Sequence, residues 1–346
     1  MPLLTKNNKP LIRAVLAVVL CLTSHNLLAQ ASTAPSNEQT EPSKDAFNPS
    51  SPMAWMNRLA TTVATTSYEI AYVVTSQGRD MRPYLWRHAA PNNTSFAEQL
   101  SLLNGPGFEY IRINNKLSIF EPGYTPYSLS AEHIDGPIPQ AFIRYPERLE
   151  SGYDVLLMGR DRVLGRMTQQ LRVVSKDKSR YGYYVWLDEQ TGLLLKLNMY
   201  SLENELLKQI QVTQFNINSD VDDHFNSIQL SQLPPITTPN AELEKEFLWT
   251  VSYLPVGMTK VKQKLHRLST TGQLAEYMML SDGLVDVSVY VMNATDSIQE
   301  DLSITTDATS VVSISNGRIQ VTVVGDVPTS TANKIADSIV LVSDAP

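Results

Sequence analysis

"LRVVSKDKSRYGYYVWLDEQTGLLLKLNMYS", residues 171–201, changes side-chain character with a period of two. Leu171 and Val173 stand against Arg172 and Val174, and Tyr181, Tyr183, Val185 and Leu187 stand against Tyr184 and Trp186. Such alternation sends successive residues to opposite faces of a pleated strand. Two polar breaks divide the stretch: Ser175-Lys176-Asp177-Lys178, and Glu189-Gln190-Thr191-Gly192, whose glycine suits a tight reversal. The stretch therefore reads as three consecutive antiparallel strands.

The same period extends in both directions. "YEIAYVVTS", "RPYLWRH", "FAEQLSLL", "EYIRI", "KLSIFE", "YDVLLMG" and "KQIQVTQFNI" are strand-like, and "NGPG" at 104–107 and "NNK" at 114–116 sit where hairpins must reverse. One meander is expected over most of residues 67–218. An antiparallel sheet of this size curls, and its apolar face needs either a cover or closure into a barrel. Two covers are available. "SSPMAWMNRLATTV" offers Ser51 as a cap, Pro52 in the first turn, and Trp55, Leu59 and Val63 at helical spacing. "SAEHIDGPIPQAFIRYPERLESG", residues 130–152, is a long loop whose Ile134, Ile138, Phe142, Ile143 and Tyr145 suit the open side of the sheet; loops of this length usually bind or cover something.

Upstream, Lys6, Lys9 and Arg13 precede the apolar run "AVLAVVLCL", with small residues at Ala29 and Ala31. This is the pattern of a secretory signal peptide, residues 1–31, and the run is too short for a membrane-spanning helix. Its removal takes the formal charge from −7 to −10, since three cations and no acid leave with it. So acidic a chain is poorly suited to nucleic acid. Cys21 is the single cysteine, so the mature chain has no disulfide and no thiol-based metal site. Residues 32–50 are rich in Ser, Thr, Pro and Asn and read as a flexible linker. A first domain is expected over 51–225, a second linker over 226–245 around "LPPITTPN", and a smaller α+β domain over 246–346. That last unit has about five strands and a terminal helix with Ala332, Ile335, Ala336 and Ile339 at helical spacing.

The search for chemistry returns negatives. His88, His133, His224 and His266 are isolated, with no paired metal-ligand spacing, and no G-x-S-x-G or phosphate loop occurs. Ser175 and Lys178 match S-x-x-K, a nucleophile signature that needs a helix start; here it joins two strands and reads as a solvated hairpin tip. Asp220, Asp222 and Asp223 lack the glycine and terminal glutamate of a calcium loop. No catalytic residue, cofactor or metal ligand is assigned. In "SIFEPGYTPYSLS", Pro122 and Gly123 suit the centre of a type II turn, so Glu121 orients a turn or meets a partner. "MRPYLWRHA" concentrates Tyr84, Trp86, Arg87 and His88; it reads either as an edge strand guarded by Pro83 and charges or as a surface offered to a partner.

Taken together, "YLWRHA", "LNGPGFEYI", "FEPGYTPYSL", "YDVLLMGRDRVLGR", "LRVVSKDKSRYGYYVWLDEQTGLLLKLN", "WTVSYLPVGM", "LSDGLVDVSVYV" and "VVGDVPTSTANKIADSI" resemble, in order from about residue 54 to 341, the RseB/MucB family of periplasmic regulators of the sigma-E envelope stress response. The resemblance implies an unclosed antiparallel β half-barrel with covering helices, similar to LolA and LolB, followed by a smaller α+β domain. It implies binding to the periplasmic region of an anti-sigma factor of the RseA or MucA type, protection of that factor from the site-1 protease DegS, and release by lipopolysaccharide or mislocalised acylated lipoprotein. Homo-oligomer formation is left open, and no nucleic-acid partner is implied. The candidate partner- or lipid-contacting residues are Tyr84, Trp86, Arg87, Glu121, Pro122, Tyr124, Ile138 and Phe142 in the first unit, and Tyr253, Leu254, Pro255, Gly257, Asp282 and Gly283 in the second. "YLPVGM" and "SDG" read equally as turns the fold requires. Two other classes stay in view: a lipid or lipoprotein carrier of the LolA type, which the first unit alone suggests, and a serine hydrolase built on Ser175 and Lys178.

Overall fold

The computed structural model describes residues 47–92, 95–217, 221–237, 247–267, 274–294 and 301–341. The expected signal peptide, residues 32–46 and residues 238–245 lie outside them. Helix α1 (Pro52–Thr65) begins as its cap chemistry requires: Ser51 Oγ accepts from the Ala54 N–H at 3.3 Å, and Pro52 stands where its missing donor costs nothing. Trp55, Met56, Leu59 and Val63 form its buried stripe.

Six strands follow: β1 (Tyr68–Ser76), β2 (Arg82–Asn92), β3 (Ser95–Leu102), β4 (Glu109–Ile113), β5 (Lys116–Phe120) and β6 (Tyr127–Ser130). After the segment 131–152, which carries the short helices α2 (Gln140–Ile143) and α3 (Leu149–Gly152), come β7 (Tyr153–Val163), β8 (Arg166–Ser175), β9 (Gly182–Asp188), β10 (Leu194–Tyr200) and β11 (Leu206–Ile217). All eleven join in one antiparallel sheet, ordered β6-β5-β4-β3-β2-β1-β11-β10-β9-β8-β7. The expected single meander is therefore two meanders, joined where β1 lies against β11 with Tyr68 opposite Ile217 and Ser76 opposite Lys208. Local period reveals a strand; it does not reveal a partner some 140 residues away in sequence.

This order corrects the reading of "MRPYLWRHA" as an edge. Strand β2 lies between β1 and β3, well inside the sheet. Pro83 is tolerated because it is the second residue of the strand, and its carbonyl still accepts from the Leu103 N–H at 2.9 Å. The sheet's end strands are β6 and β7. One face of the sheet is apolar, with Ile70, Tyr72, Val74, Leu171, Val173, Val185 and Ile210 buried in a single core with α1 and the 131–152 segment.

Residues beyond β11 form helix α4 (Val221–Asn226), whose Val221 and Phe225 pack on Ala89 and Ala97. The chain then runs along β6, where Ser128 Oγ donates to the Pro234 carbonyl at 2.7 Å and the Thr237 N–H donates to Ser128 O at 2.7 Å.

The second unit has β12 (Trp249–Val251), β13 (Thr259–Arg267), β14 (Leu274–Ser281), β15 (Asp286–Asn293), β16 (Leu302–Thr306), β17 (Thr309–Ser315), β18 (Ile319–Gly325), helix α5 (Thr329–Asp337) and β19 (Ile339–Leu341). Six strands make an antiparallel sheet ordered β13-β14-β15-β18-β17-β16, and β12 pairs with β19. Its own core holds Met278, Leu280, Val287, Val289, Val291, Val323, Ile335 and Ala336. The expected terminal helix stops at Asp337, because Ile339, Val340 and Leu341 extend to pair with Trp249–Val251. A run of two β-branched residues and a leucine fits a strand at least as well as a helix end.

Candidate functional site

The side chain of Arg180, just before β9, is fully buried where the two units meet. Its guanidinium reaches both units: Nη2 donates to the Gly152 carbonyl at 3.1 Å and to the Val256 carbonyl at 2.8 Å, and Nη1 stands 3.1 Å from Asp282 Oδ2. Asp282 also accepts from the Tyr153 hydroxyl at 2.9 Å, and its Oδ1 accepts from the N–H groups of Leu284 and Val285. Asp177 completes the junction. Its Oδ1 accepts from Ser175 Oγ and Ser179 Oγ, and its Oδ2 accepts from the Val256 N–H at 2.8 Å. Burial alone raises an acid's pKa, but these donors outweigh it and hold the Asp177 carboxyl well below the usual range. Thr331 Oγ1 donates to Ser179 O at 2.6 Å and the Tyr181 hydroxyl to Val327 O at 3.2 Å, tying α5 to the same tip.

The run Ser175–Arg180 keeps its solvated tip, with Lys176, Asp177 and Lys178 exposed, while Ser175, Ser179 and Arg180 are buried at its base and lock it into a clasp. Ser175 Oγ is engaged with Asp177, and Lys178 sits at φ +56° in the turn. Nothing there prepares a nucleophile.

Four of the six residues chosen from the second unit lie in this clasp or its wall. Pro255 is buried, and Gly257 adopts φ +84° with its ideal Cβ position only 2.7 Å from Gly152 N. Gly283, at φ +86°, lies against the Arg148 side chain, beside Asp282. Tyr253 faces Lys334, whose Nζ is 6.0 Å from the ring, while Leu254 is exposed. The backbone at Gly257 is doubly closed to a side chain, by conformation and by space. Gly257→Ala is expected to cost more than about 1 kcal/mol in a urea melt.

A second buried charge group lies beneath the 131–152 flap. Glu98 on β3 is 2% exposed and accepts from Trp86 Nε1 at 3.0 Å, from Arg112 Nη2 at 3.0 Å and from Arg144 Nη2 at 2.8 Å. Arg144 belongs to the flap; the other three belong to the sheet. The flap is therefore fastened by an ion pair as well as by the burial of Ile134, Ile138, Phe142 and Ile143. Phe142 meets Tyr183 edge-on, with centroids 5.4 Å apart. Beside this group, His88 is buried and stacks on Tyr68; its Nδ1 lies 2.9 Å from Thr66 O and its Nε2 has no partner. Since a carbonyl only accepts, Nδ1 carries the proton.

Of the residues chosen on β2, Tyr84 is buried and stacks on Tyr72, Trp86 is buried against Tyr68, and Arg87 points to the other face, where it pairs with Glu69 at 2.6 Å. Glu121 accepts from the Tyr110 hydroxyl at 2.7 Å, and its carbonyl accepts from the Tyr124 N–H across the Pro122–Gly123 turn, with Gly123 at φ +81°. Tyr124 itself is 71% exposed. Ile138 and Phe142, by contrast, are buried in the core as part of the flap.

Two small cavities of 20 and 10 Å³ lie under the flap, lined by Trp86, Leu100, Ile134, Ile138 and Ile143 among others. Each is about the size of one water. A larger cleft of 420 Å³ lies between the units, lined by Pro137, Met199, Lys208 and Ile210 on one side and Val285, Ser288, Val324 and Asp326 on the other. Lys208 Nζ bridges it to Asp326 at 3.5 Å. Among the described residues, no group of His, Cys, Asp or Glu is arranged to hold a metal ion.

Sequence reasoning missed Arg180, Asp177, Glu98, Arg112 and Arg144. A buried arginine after a polar turn leaves no local mark; its partners come from distant strands.

Comparison with known proteins agrees with this two-unit arrangement. Residues 51–237 match the MucB/RseB N-terminal domain and residues 243–340 the MucB/RseB C-terminal domain. The chain is 32% identical over 275 residues to the sigma-E factor regulatory protein RseB of Escherichia coli, covering 79% of this chain and 85% of that protein. It is 29% identical over 290 residues to the sigma factor AlgU regulatory protein MucB of Pseudomonas aeruginosa, covering 82% and 89%. The fold matches a solved complex of Pseudomonas aeruginosa MucA/MucB with a TM-score of 0.68 at 27% identity, spanning 84% of this chain and 98% of that one. A structure of MucB alone matches with a TM-score of 0.52 at 25% identity, spanning 83% and 97%. Both units match in sequence, in chain order and in fold, and the chain accordingly belongs to the MucB/RseB family of periplasmic sigma-factor regulatory proteins.

Proposed function

We propose that this protein binds the periplasmic region of a membrane-spanning anti-sigma factor of the RseA or MucA type and shields it from site-1 cleavage. The observation that carries the reading is the match, over both units, to MucB as it occurs in a complex with MucA. Regulation by binding, not catalysis, is the activity of the family.

The finer part of the proposal concerns release. The eleven-stranded sheet acts as an unclosed half-barrel of the LolA/LolB kind, and lipopolysaccharide or an acylated lipoprotein frees the anti-sigma factor. Supporting this is the shape of the flap, whose Ile138 and Phe142 occupy the ground an acyl chain would take. The cavities beneath Ile138 and Ile143 measure 20 and 10 Å³, so a chain taking that ground requires the flap to lift, and the 420 Å³ cleft edged by Pro137 and Pro139 lies beside it. Release then follows if the flap-lifted form binds the anti-sigma factor more weakly, because a ligand shifts an equilibrium only through its differential affinity.

The test combines a pull-down of the same organism's anti-sigma periplasmic segment with a DegS protection assay. Retention of the segment and slowed cleavage are expected. A protein that neither binds the segment nor slows its cleavage sinks the reading, and protection that survives saturating lipopolysaccharide or acylated peptide sinks the lipid part alone.

A further inference from the structure

We propose that strand β13 is the docking edge for an acidic, extended segment of the protein partner. The inference rests on the partner-binding reading above and says where on this chain the partner lies.

Strand β13, "TKVKQKLHR", ends the six-stranded sheet, so among the described residues one side of its backbone has no neighbouring strand. It carries Lys260, Lys262, Lys264, His266 and Arg267 and no acid, within a chain of formal charge −7. Lysines on an end strand also deter self-pairing. That device is not general to this sheet: the opposite end strand, β16, is "LSITT", with no charge and with Leu302 and Ile304 nearly half exposed. The positive charge is specific to one edge.

The sheet's two faces differ as well. One holds the core with Met278, Leu280, Val287, Val289 and α5. The other begins with Lys262, Lys264 and His266 and continues along the rungs. Lys262 stands opposite Met279, Met279 opposite Ser288, and Ser288 opposite Val324. On the next rung Lys264 stands opposite Tyr277 and Tyr277 opposite Tyr290, whose ring centroids are 5.1 Å apart; His266 lies 6.0 Å from both. Tyr277 is buried, whereas Ser288 and Val324 line the cleft between the units, so the rung Lys262–Met279–Ser288–Val324 runs from the basic edge to that cleft. An added strand gains main-chain hydrogen bonds from the edge, and alternate side chains supply specificity. Acidic residues in it face the lysines, which favours association and fixes orientation.

The experiment measures binding of the anti-sigma periplasmic segment to the full chain by calorimetry. In parallel, a photo-crosslinking residue is placed at Val261, which is 54% exposed on β13, or at Ile304 on β16. The triple variant Lys260→Glu, Lys262→Glu, Lys264→Glu is expected to lose at least about tenfold in affinity, and added NaCl is expected to weaken the wild type more than the variant. Crosslinking is expected from 261 and not from 304. Unchanged affinity in the triple variant, or crosslinking from 304 alone, overturns the docking edge and leaves the partner reading standing. A wild-type chain that does not bind the segment overturns both.

Discussion

Arg180→Met is expected to destabilise the protein by about 3–5 kcal/mol, because it removes one partner of a buried ion pair and strands the other. Asp282 keeps its bonds from Tyr153, Leu284 and Val285 but loses its cation, and the carbonyls of Gly152 and Val256 lose a shared donor. The last two belong to different units, so the loss falls on the junction as well as on either core. Urea melts followed by the buried tryptophans of each unit, Trp55, Trp86 and Trp186 in one and Trp249 in the other, report whether the units still unfold together. One coincident transition at the wild-type midpoint would refute the clasp. Arg180→Lys is expected to restore only part of the loss, since an ammonium cannot span Asp282 and two carbonyls in the fixed fork of a guanidinium.

Acid acts on the same junction through Asp177. Its folded pKa lies below the unfolded value, so the stability it contributes is present above about pH 4 and is lost as the pH falls through the folded pKa. The Val256 N–H is one of its donors, so this loss loosens the contact between the units.

How much of this could be read from residues alone divides along the range of the interactions. "YEIAYVVTS" gave strand β1 with its bounds, because alternation and flanking turns are local. The turn at 189–192 held for the same reason, with Gly192 at φ +81°. The pairing of β1 with β11 was hidden, as was the interior position of "PYLWRH", because neighbours in a sheet are chosen by contacts distant in sequence. Ser175–Arg180 was legible in part: Lys176–Lys178 are exposed as a hairpin tip should be, but the contacts of Asp177 and Arg180 with Val256 and Asp282, some 75–105 residues later, left no local sign. The flap was legible in part. Its apolar residues pointed to a cover, but Arg144 gave no sign of its bond to Glu98. Pro255, Gly257, Asp282 and Gly283 were singled out as contact residues, and they assemble at the clasp, where a turn-forming role and a role in joining the units coincide.

Glu98→Gln is the complementary perturbation, aimed at the flap. The carboxylate holds Arg112 and Arg144, and an amide retains its shape while removing its charge and replacing one acceptor by a donor. Leaving buried arginine without its anion is expected to cost about 3–5 kcal/mol. The cost should be concentrated in the flap, since Arg144 is the member free to swing out. Hydrogen exchange is the discriminating measurement: amides of Gln140–Ile143 should lose protection ahead of the sheet, and equal loss in both would contradict a flap fastened at this point. Acidification should compound the effect through His88. Burial lowers its folded pKa, while Glu98 acts to raise it and Arg144 and Arg112 to lower it. With the folded pKa below the unfolded value of about 6.5, the unfolded chain binds the extra proton first, so stability falls as the pH drops from about 6.5 to the folded pKa. Protonating Nε2 puts a charge and an unpartnered N–H into a buried site beside two arginines. In Glu98→Gln the carboxylate that favours the protonated form is gone, so His88 resists protonation further and the acid loss grows. His88→Phe, which keeps the stack on Tyr68, should flatten the pH dependence in both backgrounds. An unaltered slope would remove His88 from the flap's response to acid.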